Sequence, residues 1–308
     1  MSIETPAAQI HDLGYKRYLG TRRPQRTRFW IIARTAARMS WRGFWRSKVW
    51  VLLGAVAVVV MGAIMQVTQS EIVEGLVSGG VAVTWADAMV PMSFTFLWWV
   101  VIWSTIINGA GVVASDVKMG AFEVYFSRPV RPVDYTLGKV LGAVMITAPI
   151  LLFAPVALSI WRVAIAGDTS GILHALPICA QTVVAGILYT VVFSVVPIGV
   201  SALASRPLYS ILIWVGYEFF GGGILSLIAM VAHVPALGAL NLQNALATIT
   251  RRIFGQTMSL GHTGNADFQP VPPPLWAAIA GVMLFVGAAL FLVIWRVRRA
   301  QKSGLGGG

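Results

Sequence analysis

Stretches of about 20 apolar residues recur six times along this chain. That recurrence limits what it can fold into more than anything else in its sequence. A run of this length crosses the hydrocarbon core as a helix, because in lipid only helices and closed barrels satisfy their own backbone groups. Barrel strands would read as alternating segments of about 10 residues, and none occur. Composition agrees: the 308 residues are 57% hydrophobic and 11% charged, with a mean hydropathy of +0.77, where a soluble domain carries about 25% charge. The pattern predicts an all-α polytopic membrane protein with six transmembrane helices, at 47–67, 88–113, 135–161, 173–204, 208–232 and 275–295. Several are longer than a crossing needs, so tilt or extension beyond the bilayer is expected. Pro149, Pro155, Pro177 and Pro197 fall inside spans, where neighbouring helices can take up the freed carbonyls.

The net charge of +12 first suggests nucleic acid, but its distribution argues against that. Residues 1–50 hold 11 Lys and Arg, 114–139 hold four, Arg206 is one more, and 296–302 hold four. With alternating spans all of these fall on one side, and only Arg162, Arg251 and Arg252 fall on the other. The positive-inside rule then places both termini in the cytoplasm and the chain in the cytoplasmic (inner) membrane, with membrane lipids as contacts and no nucleic acid partner. Cys179 is the single cysteine, so no intrachain disulfide forms. The first 28 residues are polar and basic without an apolar core, so no cleavable signal peptide is expected, and 1–25 is expected to be a mobile cytoplasmic N-terminus.

Residues 26–46 predict an amphipathic helix. Arg34, Arg38, Arg42 and Arg46 recur every four positions, and Trp30, Ala33, Ala37, Trp41, Phe44 and Trp45 fill much of the rest. A helix with Arg on one face and Trp or Phe on another lies in the membrane interface. It serves either as a topology anchor or as an elbow that also meets a cytoplasmic partner.

Between spans two and three lies DVKMGAFEVYFSRPVRPVDYTLGK, residues 116–139. Placed on one helix over 116–127, Met119, Phe122 and Phe126 form a ridge, and Asp116, Gly120, Glu123 and Ser127 share a neighbouring face. Pro129 and Pro132 end it, and Asp134 opens the next helix, where negative charge suits the dipole. From the residues alone two readings stay open: an interfacial loop helix with Phe122 and Phe126 in lipid, or a knob that docks in a groove of a soluble protein.

The segment resembles the loop of ABC transporter permeases of the ABC-2 type. Asp116, Gly120, Glu123, Tyr125-Phe126, Pro129, Arg131 and Gly138-Lys139 follow that family's order and spacing, and the resemblance extends over 26–300. It implies a single transmembrane permease domain with an elbow helix at 26–46, a coupling helix at 116–128, an outer gate region at 233–274 and a flexible tail at 301–308. It implies an exporter subunit whose coupling helix sits in a cleft of an ABC ATP-binding subunit. Asp116, Met119, Gly120, Phe122, Glu123, Phe126, Pro129 and Arg131 form the docking segment, with Phe122, Phe126 and Glu123 as contacts and Arg128 and Arg131 near the partner's surface or lipid phosphates. A second permease copy is implied, as homodimer or heterodimer.

The chain itself carries no P-loop. Gly138-Lys139 lacks the preceding glycine, since Val133 occupies that position, and Val140 follows the lysine, whereas phosphate cradling needs G-x-x-x-x-G-K-[ST]. The chain is therefore expected to be no enzyme and to hold no cofactor, with ATP and Mg bound by the partner. Protease signatures are also missing: His11, His174, His233 and His262 stand far apart. A haem- or metal-binding membrane protein using His174 and His233 is one alternative. Another is a stand-alone secondary transporter or ion pathway built on Glu218, the one acid deep in a span. A charge there costs about 2.5–3.5 kcal/mol, so Glu218 either locks helix to helix or lines a translocation path or dimer seam. In the long outer loop, Leu242, Leu246, Ile249 and Ile253 recur at helical spacing, which predicts a helix over 241–254 lying at the outer surface.

Overall fold

The computed structural model describes residues 28–43, 47–68, 85–126, 130–166, 169–255 and 272–305. The N-terminal segment 1–25, Arg46, Arg128, Pro129, the Glu123 and Phe126 side chains, and all of 256–271 lie outside what it describes. Among the described residues every regular element is helical.

In chain order the α-helices are α1 (Arg28–Arg42), α2 (Val49–Thr68), α3 (Trp85–Asn108), α4 (Val112–Lys118), α5 (Ala121–Phe126), α6 (Pro132–Ala148), α7 (Ala154–Ala164), α8 (Thr169–Ser201), α9 (Pro207–Gly216), α10 (Gly222–Val231), α11 (Leu242–Ile253) and α12 (Leu275–Leu305). Six helical stretches are long and apolar enough to cross a membrane: Val49–Val67, Met89–Lys118, Pro132–Ala164, Thr169–Ser201, Pro207–Val231 and Leu275–Lys302. Two of them contain a π-helical turn, Pro149–Phe153 between α6 and α7 and Tyr217–Gly221 between α9 and α10. A proline cannot donate to the carbonyl four residues back and clashes with it. Widening the turn at Pro149 keeps the span continuous.

The fourth span, α8, is the mast of the bundle. Two thirds of its apolar window is buried, 67%, against 17% for span five and 28% for span one. Gly199 of α8 lets α12 approach so closely that a Cβ there would overlap Ala289. Lipid is as apolar as leucine, so close packing and interhelical hydrogen bonds hold such a bundle together. An aromatic ladder runs through the mainly aliphatic core. Phe94 stacks on Tyr189, Tyr189 on Phe193, Phe193 meets Trp214 edge-on, Trp214 stacks on Tyr217, and Tyr217 leans on Phe285. This ladder joins spans two, four, five and six. Beside it, Trp214 Nε1 donates to Thr105 Oγ1 at 3.0 Å, and the Thr147 and Ser194 hydroxyls lie 2.7 Å apart.

One expectation needs correction. The loop between spans two and three does not carry one helix over 116–127. The chain breaks at Met119–Gly120, where Gly120 adopts φ +65, a left-handed conformation that suits a residue without Cβ. The Asp116 face and the Glu123 face therefore belong to different helices. The helix expected over 241–254 forms as α11, and one face of it is seated in the protein. Leu242, Ala245 and Leu246 are buried in the main core with Trp214, Tyr189 and Val282. The sequence showed a helical apolar stripe, which any buried partner can cover; it held no signal for what lay opposite.

Helix α1 packs side by side with α6. Gly138 faces Ile32 and the Phe29 carbonyl, and one turn later Gly142 faces Ala36 and Ala33. Both helices thus advance together in the same direction, and Ala33 and Ala37 are buried in the contact. A Cβ on Gly138 would lie 2.6 Å from Ile32 Cβ, and one on Gly142 2.8 Å from Ala36 Cβ, so these glycines set the distance between the helices.

Candidate functional site

Span two ends, and span three begins, in a second and smaller core. Val113, Phe122, Tyr135, Ala143, Ile198, Ala202, Val293 and Val297 pack there, drawing α4, α5, α6, α8 and α12 to one place. The first amides of α4 lack intrahelical partners, as at any helix start. Ser201 Oγ, at the end of α8, accepts both the Val113 and the Ala114 N–H, at 2.9 and 3.1 Å. Across the loop, Pro132 opens α6, where its missing N–H costs nothing, and Asp134 Oδ2 accepts the Arg131 N–H at 3.3 Å.

Asp116 sits in this core and is buried. Tyr135 Oη donates to its Oδ2 at 2.6 Å, and Lys139 Nζ lies 2.7 Å from the same oxygen. Both partners come from the first turns of α6, and the Lys139 ammonium also lies over the Tyr135 ring, 5.5 Å from its centre. Phe122 and Tyr125 of α5 meet the Tyr135 ring edge-on at 5.3 and 5.4 Å. Burial, and then the Asp116 carboxylate, raise the Tyr125 phenol above its ordinary range, which keeps it neutral. Lys139 is the cation placed against the Asp116 charge. The result is a latch: one carboxylate ties the end of span two to the start of span three, and two aromatic rings seat α5 on it.

The predicted docking residues divide accordingly. Asp116 and Phe122 face inward. Met119 is exposed at 71% and Gly120 is also exposed, at the break between α4 and α5. Arg131 is exposed just before α6. Tyr135 and Lys139 hold the latch together, and sequence reading had not paired them with Asp116. Their signal was an Asp at the end of one apolar run and a Tyr-x-x-x-Lys at the start of the next.

The second polar feature surrounds Glu218, in the π-turn of span five and buried. Its Oε2 accepts from Trp98 Nε1 of span two at 3.2 Å and from Gln243 Nε2 of α11 at 3.1 Å, while Oε1 is buried without a partner. Gln243 reaches it because the chain turns back after span five. The 3₁₀ turn Pro235–Leu240 packs along α10. Tyr217 Oη then donates to the Leu240 carbonyl at 2.9 Å and accepts the Leu242 N–H at 3.0 Å. Asn241 caps α11, its Oδ1 accepting the N–H of Gln243 and Asn244, a role that suits Asn. Nothing near Glu218 in sequence announced Trp98 or Gln243.

His174 lies on α8 and His233 in the turn after α10, while His11 and His262 fall outside the described residues. Among the described residues no three His, Cys, Asp or Glu side chains group as a metal site. On α1, Arg34, Arg38 and Arg42 are all exposed.

Fold and site together define a helical bundle compatible with a multi-pass membrane protein, with a polar latch at the junction of spans two and three. No family model matches the chain, and no curated protein matches it.

Proposed function

We propose that this chain is the transmembrane permease subunit of an ABC-2 type ABC transporter, an exporter of the cytoplasmic membrane with both termini inside. The ATP-binding subunit is a separate chain that supplies ATP and Mg. The observation that carries this reading is the latch beneath an exposed break. Met119 and Gly120 project at the tip, while Asp116, Lys139 and Tyr135 bind the two flanking spans to each other directly under it. A force applied at the tip is passed by Phe122 to Tyr135, and so to α6, rather than lost in a soft loop.

In this mechanism ATP binding draws two partner subunits together, each pulls its coupling segment, and spans two and three move as one. Spans one and five, with little of their surface buried, present the faces for a second permease copy and for lipid. The tie from Glu218 to Trp98 and Gln243 supports Glu218 as a lock that holds the returning α11 against the membrane helices, with 233–255 as the described part of the outer gate. A rival reading, a secondary transporter working through Glu218, draws on its unpartnered Oε1 and needs no soluble partner.

The test is co-purification. A P-loop ATPase is expected to accompany the chain from native membranes and to be lost with Met119→Asp plus Glu123→Arg, while the permease itself keeps its thermal stability. Transport that persists in a purified chain free of any ATPase would establish the rival instead.

A further inference from the structure

Helix α1 packs Ile32, Ala33, Ala36 and Ala37 on α6 and turns its arginines outward. Arg34, Arg38 and Arg42 are one turn apart and exposed, with no acid anywhere in Arg28–Arg42. Among the described residues no hydrogen bond or ion pair holds these three guanidinium groups. Apolar side chains flank the stripe on both sides: Trp30, Ile31 and Met39 are 48, 47 and 60% exposed. Together with Thr35 these residues line one shallow groove of about 370 Å³, at the lower end of the range for small-ligand sites.

We propose that this face of α1 binds anionic phospholipid, taking the phosphate of the headgroup between successive arginines and the upper acyl chain against Ile31, Met39 and the Trp30 ring. The inference rests on the membrane placement of the chain and not on the ABC assignment. Neighbouring arginines on a helix stand about 5–6 Å apart, so two guanidinium groups can share one phosphate, each donating in the forked geometry that suits it. Thr35 adds a hydroxyl donor. The apolar flanks decide the partner. An acidic soluble protein would match the charge and leave Ile31 and Met39 in water, whereas a phospholipid carries the anion and the hydrocarbon in one molecule. Because α1 is packed in register on α6, the first helical turns of span three, a lipid held there clamps the helix that carries Tyr135 and Lys139. The lipid is thereby coupled to the latch.

Each cation near an anionic lipid surface contributes roughly fivefold in affinity, so three contribute about a hundredfold. The full chain, purified in an uncharged detergent, is titrated with phosphatidylglycerol, phosphatidylcholine and inorganic phosphate, and bound ligand is counted by native mass spectrometry. Phosphatidylglycerol is expected to occupy the tightest site. The triple change Arg34→Gln, Arg38→Gln, Arg42→Gln should weaken it about a hundredfold. The corresponding Lys triple should retain much of the affinity, and Arg251→Gln with Arg252→Gln should change nothing. All these arginines are exposed or half-buried on helix surfaces, so the variants fold. The proposal is overturned if the Gln triple binds phosphatidylglycerol as the parent does, or if phosphatidylcholine or inorganic phosphate binds equally well. It also fails if the Gln triple loses an acidic soluble protein while its phosphatidylglycerol affinity is unchanged.

Discussion

Asp116 concentrates the physical argument in one side chain. It is a buried carboxylate whose Oδ2 takes both an ammonium at 2.7 Å and a phenol hydroxyl at 2.6 Å. Removing one partner of a buried ion pair leaves the other charge uncompensated and costs about 3–5 kcal/mol, while losing one hydrogen bond to a charged group costs about 1.5–3 kcal/mol. Asp116→Asn should therefore lower the melting temperature of the detergent-solubilised chain more than Tyr135→Phe does. Adding Lys139→Met to Asp116→Asn should recover part of the loss, since the orphaned ammonium is then gone. Equal losses for the two single changes would mean that the ion pair contributes nothing beyond a neutral hydrogen bond. At this scale the sequence announced Glu218 as a charge in an improbable place, because a charge in an apolar run stands out by itself, and Asp116 only as one face of the loop segment. It did not announce Tyr135, Lys139, Trp98 or Gln243 as their partners. Pairing is a long-range property: Trp98 and Glu218 stand 120 positions apart, and no local pattern joins those two.

Among the elements, those built on long apolar periodicity were legible and those built on a single backbone angle were not. All six spans appear where the apolar runs lie, though several run on past their apolar limits into polar residues such as Lys118 and Lys302. The coupling segment was misjudged as one helix because its side-chain pattern is helical on both sides of Gly120, and only the φ of that glycine divides it. The elbow helix was legible as amphipathic, with Arg34, Arg38 and Arg42 outward as expected. Its seat on α6 was not, because it depends on glycines in a distant helix. That seat gives a prediction at this scale. Gly142→Leu would force its side chain into Ala36 and Ala33, so α1 should separate from α6. Hydrogen exchange should rise across Arg28–Arg42 and stay unchanged in the upper part of α8. Unchanged protection of α1 would mean that the small-residue contact does not hold it.

As a whole the molecule is a bundle gathered around α8, with an aromatic ladder through its middle and the Asp116 latch at one end. We propose that the latch end faces the cytoplasm and is gripped there by an ATPase. Met119 is the side chain to ask, since it is exposed at the tip and lies outside the latch. The measurement places a photo-crosslinking residue at Met119, with Cys179 left untouched, irradiates intact cells, and identifies the adduct by mass spectrometry. The account predicts a covalent link to a cytoplasmic P-loop ATP-binding subunit, formed at the residues lining its cleft. A link only to lipid or to a protein outside the cell, with transport still running, would contradict it.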